Sequence, residues 1–233
     1  MDKGVEKFPW VAVAACLIPA LNEEEGINYT ITELRTLFLD LKILVVDGNS
    51  CDNTVRVAKD LGADVVSQEG KGKGDALSFG LKYIDSKAKY VIIDDADFTY
   101  PVEFIPEMIK LLQDDPTVGM VCGNRFNSTY PIKDMKKVFY IGNKLIASVH
   151  TLLNNIDLKD PLTGLRVVRA DLMRNWSPKS KNFDIEVELN SYVEKKGYRI
   201  IEVPISYRAR IGEKKLRVKH GWAILSRIIS ETL

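Results

Sequence analysis

Cysteine and histidine are scarce in this chain. Cys16, Cys51, Cys122, His150 and His220 are the only ones among 233 residues. An odd number of widely spaced cysteines, two of them in apolar strand-like runs, is no disulfide framework and points to a reducing compartment. So few soft ligands argue against a zinc site of Cys/His type, and any catalytic metal is expected on oxygen. Excess charge is lacking too: 33 Lys+Arg against 32 Asp+Glu leave a net charge of +1. That excludes the basic footprint of a general nucleic-acid binder and the acidic bias of a disordered chain. No run of about eighteen apolar residues occurs, so no membrane-spanning helix is expected. The apolar run from Phe8 to Leu21 is broken by Pro9 and Pro19, and the mixed charges before it do not read as a secretory signal. What is present, 45% hydrophobic and 28% charged residues, is the composition of a globular protein. The length fits a single domain over residues 1–233.

Apolar runs of strand length alternate with helical patterns through the first half. Strands are expected at Val11–Ile18, Lys42–Asp47, Ala63–Val66, Tyr90–Ile93 and Val118–Cys122. Helices are expected at Glu23–Leu39 with Asn22 as cap, Asp52–Leu61, Lys73–Ile84 and Val102–Leu112. The second half predicts a long helix over 134–155, a strand at Leu165–Val168, a helix from Phe183 to Lys196 ending at Gly197, and a strand at Arg199–Ile205. A basic segment follows from Ser206 to Lys219, then an amphipathic helix from Gly221. Strand-helix alternation with short connections predicts an α/β fold, a mainly parallel sheet covered on both faces. Ligands of such sheets bind at the carboxyl ends of strands, so functional residues should follow each strand.

They do. Asp94, Asp95 and Asp97 crowd the end of the Tyr90–Ile93 run. Like charges this close need a compensating cation, and hard carboxylate oxygens suit Mg2+ or Mn2+. The first strand is followed by Pro19-Ala-Leu-Asn-Glu-Glu-Glu25, and the second by Val46-Asp-Gly-Asn-Ser-Cys-Asp-Asn-Thr54. After the third comes Gly70-Lys-Gly-Lys-Gly-Asp-Ala-Leu77, a candidate phosphate-cradling loop. It has neither Walker A spacing nor a dinucleotide fingerprint.

The set resembles the inverting family-2 glycosyltransferases of GT-A fold. Pro19-Ala-Leu-Asn-Glu23, Val46-Asp-Gly-Asn-Ser50 with Asp52 and Thr54, Gly72-Lys-Gly-Asp75 and Asp95-Ala-Asp97 occur in family order. Gly123-Asn-Arg125, Asp160-Pro-Leu-Thr-Gly-Leu-Arg166, Phe183-Asp-Ile-Glu186 and Arg210-Ile-Gly-Glu-Lys-Lys-Leu216 resemble the dolichyl- or polyprenyl-phosphate branch, most of all its archaeal members. The resemblance implies a nucleotide-sugar half over about 11–124, an acceptor half over about 125–219 and an amphipathic tail over about 220–233. Pro19, Asn22, Glu23, Asp47, Lys73 and Asp75 would then lie at the donor nucleotide. Asp95 and Asp97 would hold Mg2+ or Mn2+ on the diphosphate. Arg125 would face the acceptor phosphate, and Arg210 and Lys215 would cover the diphosphate or acceptor. Thr99 stands where some mannosyl members have Gln, which puts UDP-glucose or UDP-N-acetylglucosamine ahead of GDP-mannose as donor. The expected acceptor is dolichyl or polyprenyl phosphate, met by a peripheral enzyme at the cytosolic membrane face.

A phosphate monoester is already ionised at neutral pH and needs cations rather than a base. Arg125, Arg166, Arg208, Arg210, Lys214 and Lys215 are the candidates. A sugar hydroxyl would need a carboxylate base. The Glu-Asp pair and Gln-x-x-Arg-Trp motif of related polysaccharide synthases are missing. Asp160 reads either as a turn residue before Pro161 or as that base. Rival readings are a small soluble acceptor and a non-catalytic nucleotide-sugar-binding protein. Asp184, Glu186 and Glu188 read as a solvated stripe, His150 as packing, and Trp222, Leu225, Ile228 and Ile229 as either core or an interfacial helix face.

Overall fold

The computed structural model describes residues 8–130, 132, 135–154, 156–213, 215, 217 and 220–232. Seven strands form one sheet: β1 (Ala14–Ala20), β2 (Lys42–Asp47), β3 (Asp64–Ser67), β4 (Tyr90–Ile93), β5 (Val118–Asn124), β6 (Arg166–Arg169) and β7 (Arg199–Pro204). Their order is β3-β2-β1-β4-β6-β5-β7. All pairings are parallel except those of β6, which runs antiparallel to both β4 and β5. The expected mainly parallel α/β sheet is therefore present, with one reversed strand at its middle.

Eight α-helices accompany the sheet among the described residues: α1 (Glu24–Leu37), α2 (Thr54–Asp60), α3 (Lys73–Leu81), α4 (Ile105–Asp114), α5 (Lys137–Asn154), α6 (Ala170–Arg174), α7 (Ile185–Lys195) and α8 (His220–Thr232). β1 shows why the strand sequences are apolar without alternation. Cys16 and Ile18 join a core layer with Ile27, Ile31 and Leu34 of α1. Leu17, between them, joins the opposite layer with Leu77 of α3 and Leu189 of α7. Successive side chains point to opposite faces, and both faces are covered. In α4 the buried residues Ile105, Met108, Ile109 and Leu112 make a single helical stripe. A third, small cluster joins Ile146 of α5, Val187 of α7 and Ile224 and Ile228 of α8.

Several expected boundaries move. Residues Pro9–Val13 form a 3-10 turn, so β1 starts at Ala14 rather than Val11. Pro9 sits in the first turn of that helix, and Trp10 packs against Phe8 and Phe38. Asn22 does not cap α1: its backbone is left-handed and its side-chain Oδ1 accepts from Cys51 N at 2.8 Å. The start of α1 is held from the β2–α2 loop instead. Glu23 N donates to Thr54 Oγ1 at 2.8 Å and Glu24 N to Asp52 Oδ2 at 3.2 Å. The short α6 was not expected from the sequence. Gly197 has φ 80 just beyond α7, the left-handed stop its position predicts.

Candidate active site

β1 and β4 are parallel neighbours, so the loops that leave their carboxyl ends share one edge of the molecule. Pro19 and Glu23 come from the first loop, Asp95, Asp97 and Thr99 from the second. They wall a cavity of about 530 Å³, a usual size for a small-molecule site. The N-terminus of α3 adds Gly72 and Lys73, the end of β5 adds Arg125, and the first turn of α7 adds Glu186. Tyr207, Arg210 and Lys215 close it from the segment after β7. That segment is docked on the acidic loop through its backbone: Arg208 N donates to Thr99 O at 3.0 Å and Ile211 N to Asp97 O at 3.1 Å.

The three clustered aspartates have different environments. Asp94 is 1% exposed, its Oδ1 accepts from Asp95 N, and its Oδ2 has no partner. Burial, reinforced by the charge of Asp95, pushes its carboxyl well above the usual range. Asp95 accepts from Lys73 Nζ at 2.6 Å. Burial would raise it, but the Lys73 ammonium outweighs burial and holds it below the usual carboxylate range. Asp97 accepts from Thr99 Oγ1 at 2.6 Å and Arg210 Nη1 at 2.5 Å. Burial and the neighbouring Asp95 charge still push it up. Glu23 pairs through Oε1 with Arg210 and Lys215, while Oε2 is buried without a partner. Burial pushes it up to about 7 against the pull of both cations.

Lys73 is the bridge across the floor. Its ammonium lies 2.6 Å from Asp95 Oδ1 and 2.6 Å from Glu186 Oε1. Burial alone would lower its pKa, and the two carboxylates hold it well above the ordinary lysine value instead. Arg125 is bidentate to Asp160, with Nε to Oδ2 at 2.6 Å and Nη2 to Oδ1 at 2.7 Å. Arg125 N adds a third bond to Oδ2 at 3.0 Å. The rings of Tyr100, Phe126 and Tyr207 lie within 6 Å of its guanidinium carbon. Asp160 thus takes one edge of the fork and leaves Nη1 outside the pair.

The structure brings Pro19, Glu23, Lys73, Asp95, Asp97, Arg125, Arg210 and Lys215 to one cavity. Other expected residues do not line it. Asp47 is 2% exposed and accepts from Asn49 N and Ser50 N, so it holds the turn after β2. Asp75 carries its carboxylate against Gly70 and donates its backbone N–H to Lys181 O. Asn22 reaches the site only through its carbonyl, which accepts from Lys215 Nζ at 3.0 Å. Asp160 is fully buried under Arg125. Two of the expected phosphate-binding cations are structural. Arg166 is 1% exposed and donates to Thr163 O, Pro161 O and Asn190 Oδ1. Arg208 is bidentate to Glu33 and lies over the Phe98 ring at 4.3 Å. Lys214 and Lys219 lie outside the described residues. The glycine-lysine loop lines the cavity through Lys71, Gly72 and Lys73, and it packs closely on the 180–182 segment: Gly72 has φ 96, and a Cβ there would meet Lys181 O.

Glu186 is the correction in the other direction. Asp184, Glu186 and Glu188 are all at least nine-tenths buried, not a solvated stripe. Glu186 binds Lys73 in the cavity, Glu188 accepts from Lys179 N and Ser180 N, and Arg227 pairs with Asp184. Its place in Phe183-Asp-Ile-Glu186 was the available signal. The partner that buries it, Lys73, belongs to a distant helix. Backbone strain also gathers here, since Asn22, Asn49 and Phe98 have positive φ at the ends of three adjacent strands.

Among the described residues no group of three or more His, Cys, Asp or Glu is arranged to hold a metal ion. Asp95 and Asp97 present hard oxygen donors at the cavity wall. Two carboxylates suit Mg2+ or Mn2+ with water and substrate phosphate completing the shell, so the residues fit such an ion.

A model of glycosyl transferase family 2 matches residues 15–175, and the chain belongs to that family. A dolichyl-phosphate hexose transferase of Haloferax volcanii is 31% identical over 218 residues, covering 92% of this chain and 91% of the relative. An undecaprenyl-phosphate mannosyltransferase of Micrococcus luteus is 29% identical over 216 residues, 86% of each chain. A glucosyl-3-phosphoglycerate synthase of Mycobacterium tuberculosis, solved with Mn2+, UDP-glucose and phosphoglyceric acid, matches with a TM-score of 0.76. That match covers 96% of this chain and 82% of the synthase at 21% identity, and it shows a shared GT-A fold. The chain is a glycosyltransferase, which removes the non-catalytic reading.

Proposed function

We propose that this family-2 glycosyltransferase moves a sugar from a nucleotide-sugar to a polyprenyl phosphate with inversion. UDP-glucose or UDP-N-acetylglucosamine is the preferred donor and GDP-mannose the second. The observation that carries the reading is one cavity with two chemistries: a carboxylate wall of Glu23, Asp95 and Asp97, and the guanidinium of Arg125. The one expected base, Asp160, is committed to that guanidinium through both oxygens. An acceptor that brings its own negative charge needs no base.

The wall serves the donor. Asp95 and Asp97 would hold Mg2+ or Mn2+, which supplies positive charge to the departing diphosphate. Lys73 keeps the Asp95 carboxylate ionised and fixed against Glu186. Arg210 and Lys215, which now neutralise Glu23 and Asp97, are the chain's own cations for the diphosphate. Arg125, gripped on one edge by Asp160, offers a pre-oriented guanidinium to the acceptor phosphate. Its three aromatic neighbours limit water around it.

The test is a panel of nucleotide-sugars with polyprenyl phosphate and Mg2+ or Mn2+, scored for lipid-linked product with and without chelator. A parallel arm offers 3-phosphoglycerate, because Arg125 recognises phosphate whatever carries it. Product on the lipid alone supports the reading. Product on the soluble acid alone replaces it with the soluble-acceptor one, and full turnover in chelator removes the metal.

A further inference from the structure

Helix α5 carries apolar residues on both its sides. Asn143, Ile146, Ala147 and His150 are buried against the body of the protein. Val138, Ile141, Leu145 and Leu152 are 54%, 65%, 57% and 81% exposed. Their spacing puts them on one stripe, roughly opposite the buried one at about 100° per residue. Monomeric soluble proteins rarely leave such a continuous stripe uncovered.

Charge and position say what covers it. No acidic residue occurs from Lys137 to Asn154, whereas Lys137 and Lys144 do, with Lys136 just before them. Long lysine stems beside an apolar stripe suit an interface whose polar side is anionic. The helix is also joined to the phosphate-binding corner through one ring. Phe126 lies 5.6 Å from the Arg125 guanidinium carbon, 5.3 Å from the Tyr140 ring and 5.0 Å from Lys144 Nζ. An acceptor with its phosphate at Arg125 therefore has an aromatic path toward α5. A second copy is a poorer occupant, because a two-fold contact along this stripe brings the lysines of both helices together without acid on the same helix to oppose them.

We propose that the outward stripe of α5 (Val138, Ile141, Leu145 and Leu152) is the face on which the protein sits on an anionic lipid bilayer. This rests on a polyprenyl-phosphate acceptor, and it assigns the surface that delivers it. α8 packs beside α5 through Asn154 and leaves Trp222 78% exposed, so a second apolar side chain is available outside the stripe.

The test uses the full chain in flotation with phosphatidylcholine vesicles with and without phosphatidylglycerol. Wild type is expected to float mainly with the anionic vesicles. The double variant I141E/L145E is expected to lose vesicle affinity on the order of tenfold. Its turnover on a short, water-soluble polyprenyl phosphate should match wild type, while turnover on a long-chain acceptor in vesicles falls. The milder I141Q/L145Q variant, checked for an unchanged thermal transition, should lose part of the same affinity. Unchanged flotation of both variants would overturn the proposal. So would a wild-type dimer that the variants convert to monomer without any change in vesicle affinity. Wild-type flotation without turnover of any polyprenyl phosphate would instead overturn the acceptor assignment and leave the surface standing.

Discussion

The carboxylates of the first half and the arginines of the second follow different rules. Each strand-end carboxylate in the cavity stands within a few residues of the strand that places it, as Glu23 does after β1 and Asp95 and Asp97 after β4. The arginines look alike in sequence and have separate fates. Arg125 and Arg210 face the cavity, Arg166 ties the 160–166 loop to α7, and Arg208 pins the closing segment to α1. Strand topology alone locates a carboxylate at a strand end. A long cationic side chain goes to whichever oxygen the tertiary fold puts within reach.

Asp97→Ala should have the largest effect, because it removes one of the two carboxylates that would hold the metal and the partner of Arg210. Transfer should fall by about 10³ or more with the fold retained, as checked by steady-state rates and circular dichroism. Arg166→Met should leave the donor and acceptor constants of the surviving enzyme near wild type. It should destabilise the protein by about 3 kcal/mol or more, since several charged hydrogen bonds to buried oxygens are lost; denaturant titration measures this. Arg208→Ala is a smaller version of the same thing. The Glu33 pair is partly solvent-screened, so about 1 kcal/mol is expected, again without a change in acceptor KM. If Arg166 or Arg208 instead altered acceptor KM selectively, the division among the arginines would be wrong.

The smallest effect concerns pH. His150 is buried beside Asn190, and burial, helped by the charge of Arg166, holds its imidazole below the usual range. The unfolded chain therefore takes up a proton first. The stability it contributes is complete above the unfolded value of about 6.5 and is lost as pH falls below it. Glu23, pushed up to about 7, gives the opposite slope in this window, so the histidine is read as a difference: between about pH 7 and pH 5 the denaturant midpoint of wild type should fall relative to that of His150→Asn.

Much of the architecture was legible because local pattern and tertiary role agree. Tyr90–Ile93 is a strand with the expected ends, and Gly197 stops α7 where its φ requires. β1 was displaced because Pro9 starts a 3-10 turn that an apolar run alone does not reveal. β6 reads as a strand, but its antiparallel direction depends on the path of the chain between β5 and β6. In the site, the acidic motif was readable while the state of its members was not. Burial raises the Asp94 carboxyl while Lys73 lowers that of Asp95, and Glu186 reaches the cavity wall because Lys73 pairs with it from another helix. Asp47 resembles a ligand in sequence, and its carboxylate accepts from the backbone of the turn after β2. These differences all come from partners distant in sequence.

The central claim is that Arg125 belongs to the acceptor and the acidic wall to the donor. Arg125→Lys tests it while keeping a cation beside buried Asp160 and losing the bidentate fork. The measurement is the acceptor KM together with the dissociation constant of the accepted nucleotide-sugar in the same variant. If Arg125 faces the acceptor, the acceptor KM rises about tenfold with donor affinity unchanged. An equal loss of donor affinity would contradict that claim and move Arg125 to the donor side.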